Sequence, residues 1–222
     1  MSARPQVHRS PLGLTVLWML SGGPLHPYAM QTRMKAWGKD LVVNLNQRAN
    51  LYKTIERLLA AGLIRVSRTD RTPGFPERTS YELTEEGWRY AAIWLDEILA
   101  GPRNEFPEFP AGLSFIFGLT PAAARNALER RAAAVADRLH HLDSELKAPN
   151  GPPRTFLLEV EYLRTVTAAE LNWLRRVIRD LRERRLNWRQ DKLKAFSESF
   201  LPPAEHEEVE AKPRVKGRKR RK

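Results

Sequence analysis

Residues 46–62 read NQRANLYKTIERLLAAG, and residues 63–84 continue as LIRVSRTDRTPGFPERTSYELT. The first stretch has the period of a helix. At 100° per residue Leu51, Ile55, Leu58 and Leu59 gather on one side, and Asn46, Asn50, Lys53 and Arg57 gather on the opposite side. Asn46 suits an N-cap, since its side-chain oxygen can accept an orphan backbone N–H, and Gly62 suits the C-terminal stop. A helix is therefore expected from about residue 46 to 61. Beyond Gly62 the period falls to two. Leu63 and Val66 are expected to point inward with Arg65 and Arg68 outward. RTPGFPER supplies a turn rich in Pro and Gly, and Tyr81 and Leu83 alternate inward again. Two short strands around a basic turn make a hairpin.

Upstream, residues 12–20 (LGLTVLWML) are apolar nearly all round, as in a helix buried on most sides, and Gly22-Gly23-Pro24 stops it. A membrane span needs about 20 apolar residues. A secretory signal would want its cations together and a small-residue cleavage site, whereas Arg4 and Arg9 here lie scattered among prolines. A second helix opens at Pro27, where the missing N–H costs nothing, with Met30, Met34 and Trp37 as its expected inner stripe. After the hairpin, Thr84-Glu85-Glu86-Gly87 gives a cap and two acids in the first turn, and so a fourth helix reaching about Ala100. Three helices, a two-stranded wing and a further helix are the order of a winged helix-turn-helix, expected to occupy residues 1–100.

Residues 101–118 are expected to form a linker, because GPRNEFPEFP carries three prolines and a glycine. Residues 119–201 read as helices. Leu128, Ala132, Val135, Leu139, Leu142 and Leu146 step by four and three, as in a coiled-coil seam, along a helix of about residues 121–147. After APNGPP a second long helix is expected over about residues 154–189, with Leu171, Leu174, Ile178 and Leu181 as its stripe. Leu128, Val135, Leu139, Leu171, Leu174, Ile178 and Leu181 are the expected dimerisation residues. Residues 202–222 offer only two valines among a run of acids and then bases, and are read as a disordered charged tail. The fold class expected is mainly α, with a winged helix-turn-helix followed by a helical dimerisation region.

The chain has 222 residues and a net charge of +12, but the surplus is local. Residues 1–80 carry 12 Lys/Arg against 4 Asp/Glu, and residues 212–222 carry eight bases and no acid. Residues 101–211 are balanced, with 17 of each sign. A positive field confined to the helix–hairpin region suits a polyanion such as double-stranded DNA. The two amides on the third helix can reach base edges, and Lys53 and Arg57 can reach phosphate or guanine. Gln47 and Arg48 lie in its first turn, the part of a recognition helix that enters the groove. Arg68, Arg71 and Arg78, with Arg65, make a wing suited to the phosphate backbone. With no cysteine, neither a disulfide nor a thiolate nucleophile is available. His140 and His141 are adjacent and point to different helix faces, which makes them poor joint metal ligands. No phosphate-binding Gly-Lys loop, dinucleotide fingerprint or nucleophile elbow occurs, so neither catalysis nor a cofactor or metal is expected.

The stretches LGLTVLWMLSGGPLHPYAM, NLYKTIERLLAAGLI and RTSYELTEEGWRYAAIWL resemble the N-terminal domain of the PadR family of bacterial transcriptional regulators. The resemblance covers about residues 11–99, and the long downstream helices with Trp173-Leu174 also look like the family's C-terminal region. Pro27 stands where the family has glycine, Ala61 stands where an acid is common, and Gln47-Arg48-Ala49-Asn50 replaces a Ser-Pro-Gly-Ser entry. The resemblance implies a cytoplasmic, nucleoid-associated repressor acting as a homodimer on DNA. It implies a phosphate-side role for Tyr28 and a structural or phosphate-side role for Tyr52. It further implies a small aromatic effector, for which Trp88 and Trp94 are the candidate residues, with packing as the alternative for both. A rival reading is a winged-helix-derived module that binds a ligand or a protein without reading DNA. His26 reads as a helix-cap or hydrogen-bonded residue.

Overall fold

The computed structural model describes residues 8–45, 48–70, 78–103, 105–148 and 151–189, with backbone alone for Arg48 and Asp70. It divides into two compact units, one ending at Glu105 and the other starting at Phe106. The fold is mainly helical, with one two-stranded antiparallel sheet.

In the first unit, α1 (Pro11–Leu20) begins under Ser10, whose Oγ accepts from the Gly13 N–H at 3.0 Å, and Pro11 takes the first helical position. Val16 and Leu17 are fully buried. The chain then passes Leu25, which pairs with Tyr81 through two backbone hydrogen bonds of 3.0 and 2.9 Å. α2 (Pro27–Ala36) is capped by His26, whose Nδ1 accepts from the Ala29 N–H at 3.1 Å. α3 (Arg48–Ala60) closes at Gly62, which adopts φ 72°. There the Leu63 N–H donates to the Leu58 carbonyl and the Gly62 N–H to the Leu59 carbonyl. This double closure needs a left-handed residue, hence glycine.

The hairpin follows at once. β1 (Ile64–Asp70) pairs with β2 (Arg78–Leu83) in the register Ile64↔Leu83, Arg65↔Glu82 and Val66↔Tyr81. The register then shifts, so that Arg68 faces Ser80 and Ser67 is left as the extra residue of a bulge. α4 (Glu85–Ala100) is capped by Thr84, whose hydroxyl oxygen accepts from the Gly87 N–H at 3.0 Å. The same hydroxyl lies 2.8 and 2.9 Å from the carbonyl oxygens of Gly62 and Leu63. The end of α3 and the start of α4 are thereby tied together.

Three expected inward positions are exposed instead. Trp37 is the residue that ends α2, so the stripe runs past the last turn of the helix. Leu59 lies at the edge of the α3 stripe and is partly exposed, while Leu51, Ile55 and Leu58 are buried. Val66 is exposed because the core reaches along β1 only as far as Ile64. The expected N-cap Asn46 lies outside the described residues.

The second unit corrects the linker expectation. Residues 108–118 form α5 (Glu108–Ser114) and a 3-10 turn, Ile116–Gly118, and they place Phe109, Leu113 and Ile116 against the apolar core of this unit. α6 (Pro121–Leu146), capped by Thr120, packs antiparallel on α7 (Leu158–Arg182). Leu128, Val135, Leu171, Leu174, Ile178 and Leu181 are buried between them, and Leu139 is partly buried. Arg131–Glu170 at 2.5 Å, Arg164–Asp143 at 2.6 Å and Arg182–Glu129 at 3.1 Å bridge the two helices at their rims. α7 is shorter than expected. Arg154–Phe156 is a separate 3-10 turn, and the helix ends before Arg184, which takes φ 59°. Trp188 donates its indole N–H to the Leu119 carbonyl at 2.9 Å. Among the described residues no helix is long and apolar enough to cross a membrane. His141 meets Glu145 at 3.2 Å, an i,i+4 pair on the surface of α6. The tail expected over residues 202–222 lies outside the described residues.

Gly87 is fixed by packing rather than by backbone conformation, since a Cβ there would run into the Leu63 carbonyl oxygen and the Leu83 side chain. Gly87→Ala is therefore expected to lower the stability of the first unit by about 1–3 kcal/mol, read from its thermal unfolding. An unchanged melting profile would contradict the α3–α4 joint.

Candidate nucleic-acid interface

On α3 the side chains of Leu51, Thr54, Ile55 and Leu58 face the core, which turns Asn50, Lys53 and Arg57 outward. Lys53 and Arg57 are exposed, and Asn50 is half-buried. Arg57 donates from Nη2 to Oγ1 of the buried Thr54 at 3.3 Å, which leaves the rest of its guanidinium at the surface. Asn46, Gln47, Arg71 and the Arg48 side chain lie outside the described residues.

Beside this face the start of α2, the flank of α3 and the start of β2 enclose a cleft of about 250 Å³. Its polar lining comes from His26, Tyr28, Tyr52, Arg78, Thr79 and Tyr81. Each contributes a hydrogen-bond donor. His26 accepts the Ala29 N–H on Nδ1, so the neutral ring carries its proton on Nε2. Its ring stacks on Tyr28, with centroids 6.2 Å apart and planes 13° apart. Burial holds the Tyr81 hydroxyl above its usual pKa, and nearby Glu56 and Tyr52 push the same way, which keeps the phenol protonated. Arg78 supplies the full positive charge. Among the described residues the lining holds a guanidinium and hydrogen-bond donors but no carboxylate, a composition that suits an anion such as a phosphodiester, and Tyr52 of the lining belongs to the same helix as Lys53 and Arg57.

The wing is less cationic than its arginines suggest. Arg65 donates to Glu82 at 2.6 Å and Ser67 donates to the other carboxylate oxygen at 2.9 Å, so Glu82 neutralises Arg65 and anchors the bulge. These hydrogen bonds hold the Glu82 carboxyl below its usual pKa. Arg68 is exposed, and Arg78 serves the cleft rather than the wing tip.

The candidate effector residues do not come together. Trp94 is buried, with its six-membered ring against Gly13 of α1 and its edge toward Tyr90 at 6.3 Å. Trp88 stands half-exposed and meets Trp18 edge-on at 5.8 Å. The seven candidate dimerisation residues, from Leu128 to Leu181, are mostly engaged within one chain, between its own α6 and α7. Sequence reading missed Thr79 and Tyr81 as cleft residues. The Leu25–Tyr81 pairing brings the loop after α1 and β2 side by side, and no local pattern announces that contact.

The sequence matches no model of a known protein family, and no curated protein matches it. Solved structures share its fold. Bacillus subtilis PadR in complex with operator DNA superposes with a TM-score of 0.62 at 19% identity, covering 78% of this chain and 99% of that one. The Vibrio cholerae virulence activator AphA gives 0.59 at 18% identity, over 78% and 98% of the two chains. Bacillus subtilis PadR in complex with p-coumaric acid gives 0.55 at 16% identity, over 78% and 98%. The chain thus has the winged-helix fold, with a helical second unit, seen in these regulators.

Because Arg65 and Ser67 lower the Glu82 pKa, the stabilisation they give is present above the ordinary glutamate range near ~4.3 and is lost as pH falls through the folded value. An NMR titration is expected to place the Glu82 carboxyl below ordinary glutamates in the intact protein and to move it up toward their range in Arg65→Gln, where only the Ser67 hydrogen bond remains. Identical titration curves in the two proteins would refute the clamp.

Proposed function

We propose that this protein is a DNA-binding transcriptional regulator of the PadR type, a repressor acting as a homodimer. The observation that carries this reading is the donor-lined cleft of His26, Tyr28, Tyr52 and Arg78, to which α3 contributes Tyr52 while it presents Lys53 and Arg57 outward. A recognition helix flanked by a phosphate seat is what groove reading requires: the seat fixes register and the helix reads base edges. The positive surplus of residues 1–80 and the fold shared with an operator-bound PadR support the same reading. Asn46, Gln47, Arg48 and Asn50 are proposed to enter the major groove with Lys53 and Arg57, and Arg68 and Arg71 to lie along the backbone.

The dimer contact is reassigned. Leu174 and Ile178 are already enclosed by their own chain, which favours a contact on residues that α7 leaves exposed. Leu158, Tyr162 and Val166 recur at four-residue spacing along its first half and remain open, 47–68% exposed. This stripe is the proposed contact between copies. Release by a small aromatic effector is proposed to act at the half-exposed Trp18–Trp88 pair, a reading supported by the p-coumaric acid complex of a protein with this fold.

Arg78→Ala and Lys53→Ala are each expected to weaken binding to the DNA upstream of the protein's own gene by about tenfold, and to reduce the slope of log K against log salt by about one. Circular dichroism should stay as in the parent. Parental affinity in both variants would reject the interface. Tyr162→Glu with Val166→Glu is expected to give folded monomers by sedimentation, whereas Leu174→Glu should unfold the second unit. A dimeric Tyr162→Glu/Val166→Glu protein would place the contact elsewhere.

A further inference from the structure

A second, larger hollow lies in the first unit and shares no lining residue with the DNA-side cleft. It measures about 640 Å³ and is formed by the segment ahead of α1, one face of α4 and Arg103 just beyond that helix. Its volume falls within the span of small-molecule sites, roughly 300–1,000 Å³. Among the described residues its lining is cationic on balance: Arg9, Arg89 and Arg103 stand with His8 against Glu97, and Glu86 pairs with Arg89 from outside the lining.

The cations are held in place. Arg9 is largely buried and donates from Nη1 to Glu97 at 2.7 Å, which fastens the segment ahead of α1 onto α4. Arg89 is gripped by Glu86 through Nε and Nη2, and its guanidinium carbon stands 5.3 Å from the centroid of the Tyr90 ring. Both guanidiniums keep donors in reserve, since each has five N–H groups. Arg103 has no hydrogen-bond or carboxylate partner among the described residues. The floor is apolar and stiff. Trp94 is pinned beneath Gly13, and Tyr90 meets it edge-on, with planes 78° apart, beside Ile93.

We infer that this groove binds an organic phosphate carrying a planar ring, a nucleoside monophosphate being the simplest member of that class. A phosphate monoester carries about −1.5 to −2 charges and three acceptor oxygens, which matches several guanidinium forks better than one carboxylate would. The ring has the Tyr90–Ile93–Trp94 floor to lie against, and stacking on such aromatics is indifferent to which base is present. A single-ring carboxylate would fill a small part of the volume and offer two acceptor oxygens to three guanidiniums.

The test uses the full chain without DNA, followed by calorimetry and by tryptophan fluorescence. AMP is expected to bind saturably, with adenosine, inorganic phosphate and benzoate each at least about tenfold weaker. Arg103→Gln, a surface change away from the core, is expected to weaken AMP by about tenfold or more, the usual loss for a charge-assisted hydrogen bond, with thermal unfolding unchanged. Absence of saturable AMP binding, benzoate binding as tightly as AMP, or an unaffected Arg103→Gln would each overturn the inference. Because no DNA is present, that failure leaves the DNA reading intact, and a failure of DNA binding leaves this one intact.

Discussion

The winged unit depends on the joint at Thr84. One hydroxyl oxygen caps α4 by accepting from Gly87 and sits against the carbonyls of Gly62 and Leu63, where α3 ends and β1 starts. Three elements are fixed at one point: the end of the helix proposed to read DNA, the entry to the hairpin and the first turn of α4. Two glycines make the approach possible for different reasons. Gly62 takes a left-handed conformation, and Gly87 leaves room for the Leu63 carbonyl. With α3 and β2 set by this joint, Tyr52 and Arg78 come to line the same cleft as His26 and Tyr28.

Where charge is placed matters more than how much there is. The first 80 residues carry a surplus of bases, yet Arg65 is neutralised by Glu82 and Arg57 partly engages Thr54. Arg78 stands where hydrogen-bond donors converge, with the phenols and imidazole of the cleft, while Lys53 and Arg57 are presented by the outward face of α3. Glu82 has an ordering role as well, since its two oxygens hold both Arg65 and the bulge residue Ser67. A bulge anchored in this way sets the twist with which the hairpin leaves the core.

Much of this was legible in the sequence, and the failures have physical causes. Helix positions followed from caps and stops that act locally: Pro27, Gly62 and Thr84 each sit where their chemistry requires, while the caps Ser10 and Thr120 emerged only with the structure. The hairpin was legible from its change of period. Periodicity identifies a buried stripe but not its neighbour, so the stripe of Leu174 and Ile178 pointed equally to a partner chain and to the chain's own α6. Proline content misled at residues 108–118, where Pro107 and Pro110 stand at the start of α5, a place prolines tolerate. The surroundings of Trp94 were not legible, because nothing local shows that Gly13 lies on its ring. The cleft itself joins residues more than 50 positions apart in the chain, and such contacts leave no local signature.

The proposed function requires the α3 face and the cleft to read duplex DNA as a symmetric pair. Hydroxyl-radical footprinting of the full chain on the DNA upstream of its own gene tests this most directly. Two protected patches, centred about one helical turn or a whole multiple of ~34 Å apart on an inverted repeat, are expected. Uniform protection along the fragment, or none at concentrations where random DNA is equally bound, would contradict it.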